Sequence, residues 1–197
     1  MKKSVITILL SFLVFSGAEA APSREFFELR IYRFKNPAQQ ERVEAYLQKA
    51  LVPALHRLGM KKIGVFKPVE SDSTYGKKLF LFIPFRSLAD IELLSEKLEK
   101  DRQYLADGKD YIDAPYDNPP YARFESIILK AFTGMPESAV PVLQGAAKER
   151  VYELRSYEGH TEKIYRNKVQ MFNSGDEVGL FKRLGFNAVF YAEVIAG

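Results

Sequence analysis

Phe-Glu-Leu-Arg-Ile-Tyr at residues 27–32 returns as Tyr-Glu-Leu-Arg-Ser-Tyr at residues 152–157, and this repeated motif indicates how the chain folds. A second signature follows each copy, Arg-Leu-Gly-Met at residues 57–60 and Arg-Leu-Gly-Phe at residues 183–186. The spacing between motif and signature differs by one residue between the copies. Because self-similarity at a fixed spacing is typical of duplicated structural units, we predict two related units.

The first copy of the motif predicts a strand over residues 25–34. Side chains alternate between the two faces of a strand, so one face is apolar and the other polar. We expect the apolar set to pack against helices and the polar set to lie on the opposite face: Phe27, Leu29 and Ile31 against Glu28, Arg30 and Tyr32.

An amphipathic helix is predicted after this strand. Asn36 is the expected N-cap, with Pro37 at the first helical position and Gln39 placed to complete a capping box. Gly59 is the expected C-cap. Pro53 lies inside the helix and should kink it, because proline lacks the backbone donor.

Three strands and a second helix complete the first unit. The strands are expected at about residues 62–68, 78–84 and 125–131, and the apolar run at 79–83 predicts a central strand covered on both faces. Ser87 caps the second helix, whose expected buried stripe is Leu88, Ile91, Leu94, Leu98 and Leu105. The order β-α-β-β-α-β is that of the ferredoxin-like motif.

The second unit repeats only the first half of this order. After a linker at residues 133–149, we predict a strand at 150–158, a helix at 162–183 and a strand at 186–195. The predicted fold is α+β, with tandem ferredoxin-like units forming an α/β barrel. We expect units at residues 21–132 and 150–197, the second C-terminally truncated.

The N-terminus has the pattern of a secretory signal peptide. Lys2 and Lys3 precede an apolar run at residues 5–15, which is too short for a membrane span, and small residues lead to an expected cleavage after Ala20. We therefore predict an exported protein, periplasmic or secreted. The chain has no cysteine, which excludes disulfides and thiol nucleophiles.

The charge pattern does not indicate nucleic-acid binding. The formal net charge is +4, but the basic residues are scattered among acidic ones and form no patch. The Gly-x-Ser-x-Gly, Walker, dinucleotide-binding and His-Glu-x-x-His patterns are absent from the sequence, so the common hydrolase, nucleotide-binding and zinc-protease classes have no support.

The most specific candidate site consists of the polar residues of both motif copies. One interpretation is a ligand-lined lumen between sheets, with Arg for an anionic group and Tyr for an aromatic body. The alternative is structural, with Glu and Arg paired and Tyr packed at a sheet contact. The residues are Glu28, Arg30, Tyr32, Glu153, Arg155 and Tyr157.

No cofactor or metal is predicted. His56 and His160 are expected at the surface, which leaves no imidazole for a transition-metal or haem site. Four acidic residues in one loop allow a calcium site, although their spacing matches no EF-hand, and a tyrosine-rich flap or a solvated connection is the alternative. They are Asp107, Asp110, Asp113 and Asp117.

The repeated Glu-Leu-Arg-x-Tyr motif, followed in the second unit by Leu-Phe-Lys-Arg-Leu-Gly-Phe at residues 180–186, resembles the NIPSNAP family. The resemblance implies a dimeric α/β-barrel fold and supplies no catalytic residue. We predict a non-enzymatic module that binds a small anionic or aromatic ligand or associates with itself through sheet faces. The alternative is a cofactor-free enzyme similar to the antibiotic-biosynthesis monooxygenases.

Overall fold

The fold is mixed α/β: five antiparallel strands form one open sheet, and helices connect the strands. The computed structural model describes residues 23–146 and 149–197; the predicted signal peptide lies outside them. The strands are β1 (Phe26–Arg33), β2 (Gly64–Phe66), β3 (Lys78–Phe85), β4 (Arg123–Ala131) and β5 (Ala192–Ala196). Their order in the sheet is β2-β3-β1-β4-β5, which places β3, β1 and β4 inside and β2 and β5 at the edges.

Eight α-helices and one π-helical segment connect these strands in the described ranges. The segment Leu47–Leu51 is π-helical and joins the first two helices end to end. The α-helices are α1 (Pro37–Tyr46), α2 (Val52–Arg57), α3 (Leu88–Glu92), α4 (Leu94–Glu99), α5 (Arg102–Asp107), α6 (Lys109–Ile112), α7 (Glu162–Asn173) and α8 (Glu177–Arg183).

Residues 26–131 follow the predicted order, with one helical layer on one face of the sheet. The main core lies between this layer and β1 and β3. Its fully buried members come from the α1–α2 helical stretch and from β3: Val43, Leu47, Ala50, Leu51, Ala54, Leu55, Leu79, Leu81 and Ile83. β3 is therefore a central strand, as its apolar run predicts.

A second, smaller core covers the other face of the sheet. It contains Phe27, Leu29, Ile31, Phe82, Leu129 and Ala131. The ring of Phe190, from the C-terminal part of the chain, lies 5.4 Å from the ring of Phe27 and 4.7 Å from that of Phe82. Residues just before β5 thus cover this face.

The expected orientation of β1 is wrong, although its alternation is correct. Cα partners across the β1–β3 ladder are Glu28 with Ile83, Arg30 with Leu81, and Tyr32 with Leu79. These β3 residues point into the main core, and directly opposed residues share a face. Glu28, Arg30 and Tyr32 therefore face the helices, while Phe27, Leu29 and Ile31 form the second core. Both faces are covered, so polarity alone does not show which one meets the helices.

Several predicted elements of the first unit have different limits. β2 has only three residues, and the second predicted helix is divided into α3, α4, α5 and α6, the last inside the expected loop. Leu88 and Leu105 are exposed, whereas Leu94 and Leu98 are buried. Pro53 is the second residue of α2, which begins where the π-helical segment ends. π-Helical turns are local irregularities within α-helices, so the helix is irregular just before Pro53.

The second half of the chain differs most from the prediction. Residues 151–159 are not in a strand, because no neighbouring strand pairs with them. The predicted helix is broken after Asn173 into α7 and α8, and the last strand begins only at Ala192. The tandem-unit and barrel arrangements stay predictions. No helix in the described ranges is long and apolar enough to cross a membrane.

Candidate functional site

Glu28, in the first motif copy, is a buried carboxylate whose oxygens are both hydrogen-bonded. The Arg30 guanidinium donates to Glu28 Oε2 at 2.9 Å, and the Ser126 hydroxyl donates to Glu28 Oε1 at 2.7 Å. Glu28 is only 5% exposed. Because a buried charge is tolerated when paired and hydrogen-bonded, this arrangement matches the structural interpretation of the motif.

Arg30 carries the matching positive charge beneath the helical layer. Its guanidinium lies over the ring of Phe124, 5.9 Å from the centroid, and its Nε is buried without a hydrogen-bond partner. Burial alone lowers the pKa of Arg30, but the hydrogen bond and charge of Glu28 outweigh it and raise that pKa above its usual value. Arg30 is therefore a fixed cation.

A cluster of tyrosines adjoins this ion pair, and the sequence motif does not indicate it. The hydroxyls of Tyr46 and Tyr104 are 2.9 Å apart, and the ring of Tyr46 stacks on that of Tyr111 at 3.7 Å. Burial raises the pKa of Tyr32, Tyr46 and Tyr111. The sequence could have indicated that Tyr46 is buried, because it follows Val43 by three residues and therefore lies on the buried face of the helix.

The second triplet has the same internal pairing in a different environment. Arg155 donates two hydrogen bonds of 2.9 Å to the carboxylate of Glu153, and both residues are exposed. The Arg155 guanidinium lies 5.8 Å from the ring centroid of Phe181 and 5.5 Å from that of Phe186. The hydrogen bond from Arg155 lowers the pKa of Glu153, and the same bond raises the pKa of Arg155.

The structure does not bring the two triplets together. The first lies between the sheet and α1–α6, and the second lies against α7 and α8. No hydrogen bond, ion pair or ring contact joins them in residues 23–146 and 149–197. The shared lumen that the sequence suggests has no direct counterpart in this arrangement.

Two open clefts lie elsewhere on the surface. One, of about 890 Å³, is lined by residues that include Gly59, Lys62 and Arg86. The other, of about 380 Å³, is lined by residues that include Asn36 and Arg42. Neither is lined by a residue of the triplets.

The histidines and the acidic loop residues do not form a metal site. His56 and His160 are exposed, as expected. Asp110 pairs with Arg42 at 3.0 Å, and Asp107 accepts a hydrogen bond from Gln103 at 2.7 Å. Among the described residues, no group of three or more histidine or acidic side chains is placed to hold a metal ion.

The solved structures similar to this chain include two NIPSNAP proteins. An uncharacterized NIPSNAP domain protein from Burkholderia xenovorans has 18% sequence identity and a TM-score of 0.39, over 53% of this chain and 91% of that chain. A NIPSNAP family protein with unknown function from Agrobacterium tumefaciens has 24% identity and a TM-score of 0.40, over 55% and 88%. Both carry the family name that the motifs suggested. At these scores neither identifies a functional residue here.

No family model matches the sequence, and the search of curated proteins gives no match.

Proposed function

We propose that this chain is an exported, NIPSNAP-like interaction module without catalytic activity. Its binding surface is the C-terminal apolar surface, which we define as Leu180 of α8, Leu184 at the C-cap of that helix and Phe186 just after it. The tandem arrangement of two related units, the second incomplete, belongs to the same proposal and is supported by the repeated motif and signature.

The observation that carries the proposal is the exposure of this surface. Leu184 is 63% exposed, Phe186 is 47% exposed and Leu180 is 45% exposed. Of residues 149–197, which the structure describes throughout, only Phe172 is buried. Leu180 and Leu184 are four residues apart at the end of α8 and are therefore neighbours on the helix surface. Adjoining exposed apolar side chains mark interaction sites in soluble proteins, so we infer that another protein surface covers them.

The direction of the pKa shifts favours binding over catalysis. General acids and bases work best with a pKa near the operating pH. Here burial raises the pKa of Tyr32, Tyr46 and Tyr111. Hydrogen bonds from Arg33 and Arg155 lower the pKa of Glu125 and Glu153. These shifts lead away from neutrality, which does not favour the cofactor-free enzyme.

Binding of a small anionic or aromatic ligand is a second candidate function. It is favoured at Glu153, Arg155 and Tyr157, because the exposed guanidinium of Arg155 adjoins the aromatic rings of Phe181 and Phe186. At Glu28, Arg30 and Tyr32 the same function requires the ligand to displace a buried carboxylate from Arg30. A thermal-shift screen of aromatic carboxylates on the parent, Arg155→Ala and Arg30→Ala proteins separates the two locations. The substitution that abolishes the ligand-induced shift identifies the triplet that binds.

The interaction proposal is tested by self-association of the mature protein. Light scattering behind size-exclusion chromatography should give a mass that rises from monomer to dimer over the micromolar range. Leu184→Glu should return the protein to a monomer, because a charge in an apolar interface is left without a partner. The matched control is Leu88→Glu, at a leucine 48% exposed on α3, which should leave the mass unchanged. A parent protein that is monomeric throughout contradicts self-association.

Export is tested on the same material. The intact mass of protein from the periplasm or medium should correspond to a chain that begins at Ala21. A chain that still begins at Met1, or that stays in the cytoplasm, contradicts the signal-peptide proposal.

A further inference from the structure

The larger of the two clefts, of about 890 Å³, lies where the chain enters β2 and leaves β3. These two strands pair antiparallel with Gly64 opposite Phe82, so continuing that register brings residues 61–62 beside residues 84–86. Both stretches line the cleft. Its volume lies within the range of roughly 300 to 1,000 Å³ that is typical of small-molecule sites. The cleft therefore has room for an organic molecule and not only for a single ion.

Part of the cleft lining is a network of polar groups that satisfy one another. The carboxylate of Glu25 accepts hydrogen bonds from the N–H and the hydroxyl of Ser138, at 2.6 Å and 2.7 Å. Lys62 donates to the Ser138 carbonyl at 2.6 Å, and its ammonium lies 3.9 Å from the carboxylate of Glu137. Glu25 and Glu137 are thus already occupied, and Lys62 is the cation that adjoins them.

The other cations of the cleft are less completely paired. Lys97 lies 3.7 Å from Asp90, whose carboxylate also accepts a hydrogen bond from the Ser87 hydroxyl at 2.9 Å. Lys61 and Arg86 are exposed, and neither makes a side-chain hydrogen bond or an ion pair with any described residue. The lining contains four cations and three carboxylates, so it carries one positive charge that nothing in the cleft offsets.

Apolar side chains adjoin the two unpaired cations. Met60, which precedes Lys61, packs against the main core, and Phe85, which precedes Arg86, is a member of that core. Leu58, at the C-cap of α2, also lines the cleft and is 39% exposed. Because the main core holds these side chains in place, the cleft combines a fixed apolar wall with two exposed cations.

The ligand that complements this lining is a monoanion with an apolar body. The planar guanidinium of Arg86 presents donors in the geometry that a carboxylate accepts. A single excess positive charge matches a carboxylate better than a phosphate ester, which carries a charge of roughly −1.5 to −2 at neutral pH. An inorganic anion would leave the apolar wall in water, whereas a hydrocarbon chain would cover it.

We propose that this cleft binds an organic carboxylate with an apolar body, of the fatty-acid class. Arg86 and Lys61 bind the carboxylate, and Leu58 and Met60 contact the hydrocarbon chain. The site goes beyond the proposed interaction function, because none of the residues that line the cleft belongs to the C-terminal apolar surface or to either triplet. It therefore stands or falls independently of self-association.

The probe is dansylaminoundecanoic acid, a fluorescent fatty acid, and its methyl ester is the matched probe without a charge. The acid should give a saturable rise in fluorescence with the mature protein, and the ester should bind about tenfold more weakly. Arg86→Gln should weaken binding of the acid about tenfold, the value of a hydrogen bond to a charged group. Lys61→Gln should weaken it about threefold, as for an exposed ion pair. Arg102→Gln is the control, because Arg102 of α5 is also exposed but lies outside the cleft.

The outcomes separate this cleft from the other surfaces. Arg86 is exposed, so the melting temperature of Arg86→Gln should equal the parent's, and Arg86→Lys, which keeps the charge, should bind within about threefold of the parent. Binding that Arg86→Gln leaves unchanged but that Arg155→Gln or Leu184→Glu abolishes overturns the location. Equal affinity for the acid and its ester overturns the anion site. The absence of saturable binding by the folded parent overturns the proposal and leaves the mass measurement on Leu184→Glu unaffected.

Discussion

The same three residue types serve different purposes in the two motif copies. Glu28 and Arg30 form a buried pair, with side chains 7% and 17% exposed, whereas the side chains of Glu153 and Arg155 are 65% and 42% exposed. Breaking a buried pair leaves a charge without compensation, and exposed pairs contribute little. The environment, and not the motif, sets the energetic role of each pair.

Glu28→Gln should therefore lower the free energy of unfolding by about 3 kcal/mol, because it removes the charge that offsets buried Arg30. Urea denaturation measures this loss. Glu153→Gln is the matched control and should leave the urea midpoint unchanged. Equal midpoints for the two variants would contradict the assignment of the first pair to the interior.

The buried tyrosines predict loss of stability at high pH. Burial raises the pKa of Tyr32, Tyr46 and Tyr111 in the folded chain, so the folded state keeps these protons to higher pH than the unfolded chain does. Their contribution is complete below the unfolded pKa of about 10 and is lost as the pH rises above it. Urea midpoints at pH 8 to 11.5 should fall above pH 10.

Tyr46→Phe tests this origin of the alkaline transition. The variant should lose about 1 kcal/mol at pH 8, for the hydrogen bond with Tyr104, but its stability should fall less steeply above pH 10. Tyr116→Phe is the control, because Tyr116 is 99% exposed. A slope for Tyr46→Phe equal to that of the parent would show that other groups cause the transition.

Residue-level prediction from sequence succeeds for spacing and fails for orientation. The alternation of Glu28, Arg30 and Tyr32 was correct, but a strand covered on both faces gives no polarity signal for the helical side. The orientation becomes clear only in the folded structure, where the ring of Tyr32 packs against the rings of Tyr121 and Phe124. The tyrosine cluster joins residues 58 or more positions apart, such as Tyr46 and Tyr104, which no local pattern reports.

At the scale of elements, both copies of the Arg-Leu-Gly signature terminate a helix. Gly59 has φ +86° and Gly185 has φ +82°. The Met60 N–H donates to the Leu55 carbonyl at 3.0 Å, and the Phe186 N–H donates to the Phe181 carbonyl at 3.1 Å. This is the bond of a Schellman motif, which requires a left-handed residue at the glycine position.

Gly59→Ala should lower the free energy of unfolding by about 1 kcal/mol, the cost of the left-handed conformation for a residue with a Cβ. No atom lies within 4 Å of the position that the Cβ would take, so the cost is conformational rather than steric. Gly59→Asn should cost less, because asparagine tolerates this conformation. Thermal unfolding compares the two, and equal losses would contradict a conformational origin.

Helix caps were predictable from sequence, and one strand was not. Asn36, Ser87 and Thr161 each accept a hydrogen bond from the N–H three residues later, because a cap depends only on local residues. Residues 150–158 carry the same alternating pattern as β1 but form no strand. The difference is that β1 has a partner strand on each side, β3 and β4, whereas residues 150–158 pair with no strand of the described residues. A strand depends on partners, which its own sequence does not supply.

At the scale of the molecule, the two halves differ in how much core they have. Residues 26–132 contain both cores, whereas residues 149–197 depend on Phe172 and on the contact of Phe190 with Phe27 and Phe82. We infer that the C-terminal apolar surface becomes buried by binding another protein surface, and this is the central claim of the account.

Hydrogen–deuterium exchange of the mature protein, below and above the concentration at which it dimerises, tests this claim most directly. Amides of β1 and β3 should exchange slowly at both concentrations, and those of α8 rapidly in the monomer. In the dimer α8 should become protected, while α3, which carries the control residue Leu88, should not. Amides of α8 that are already as protected as those of β1 in the monomer, or that dimerisation leaves unchanged, would contradict the account.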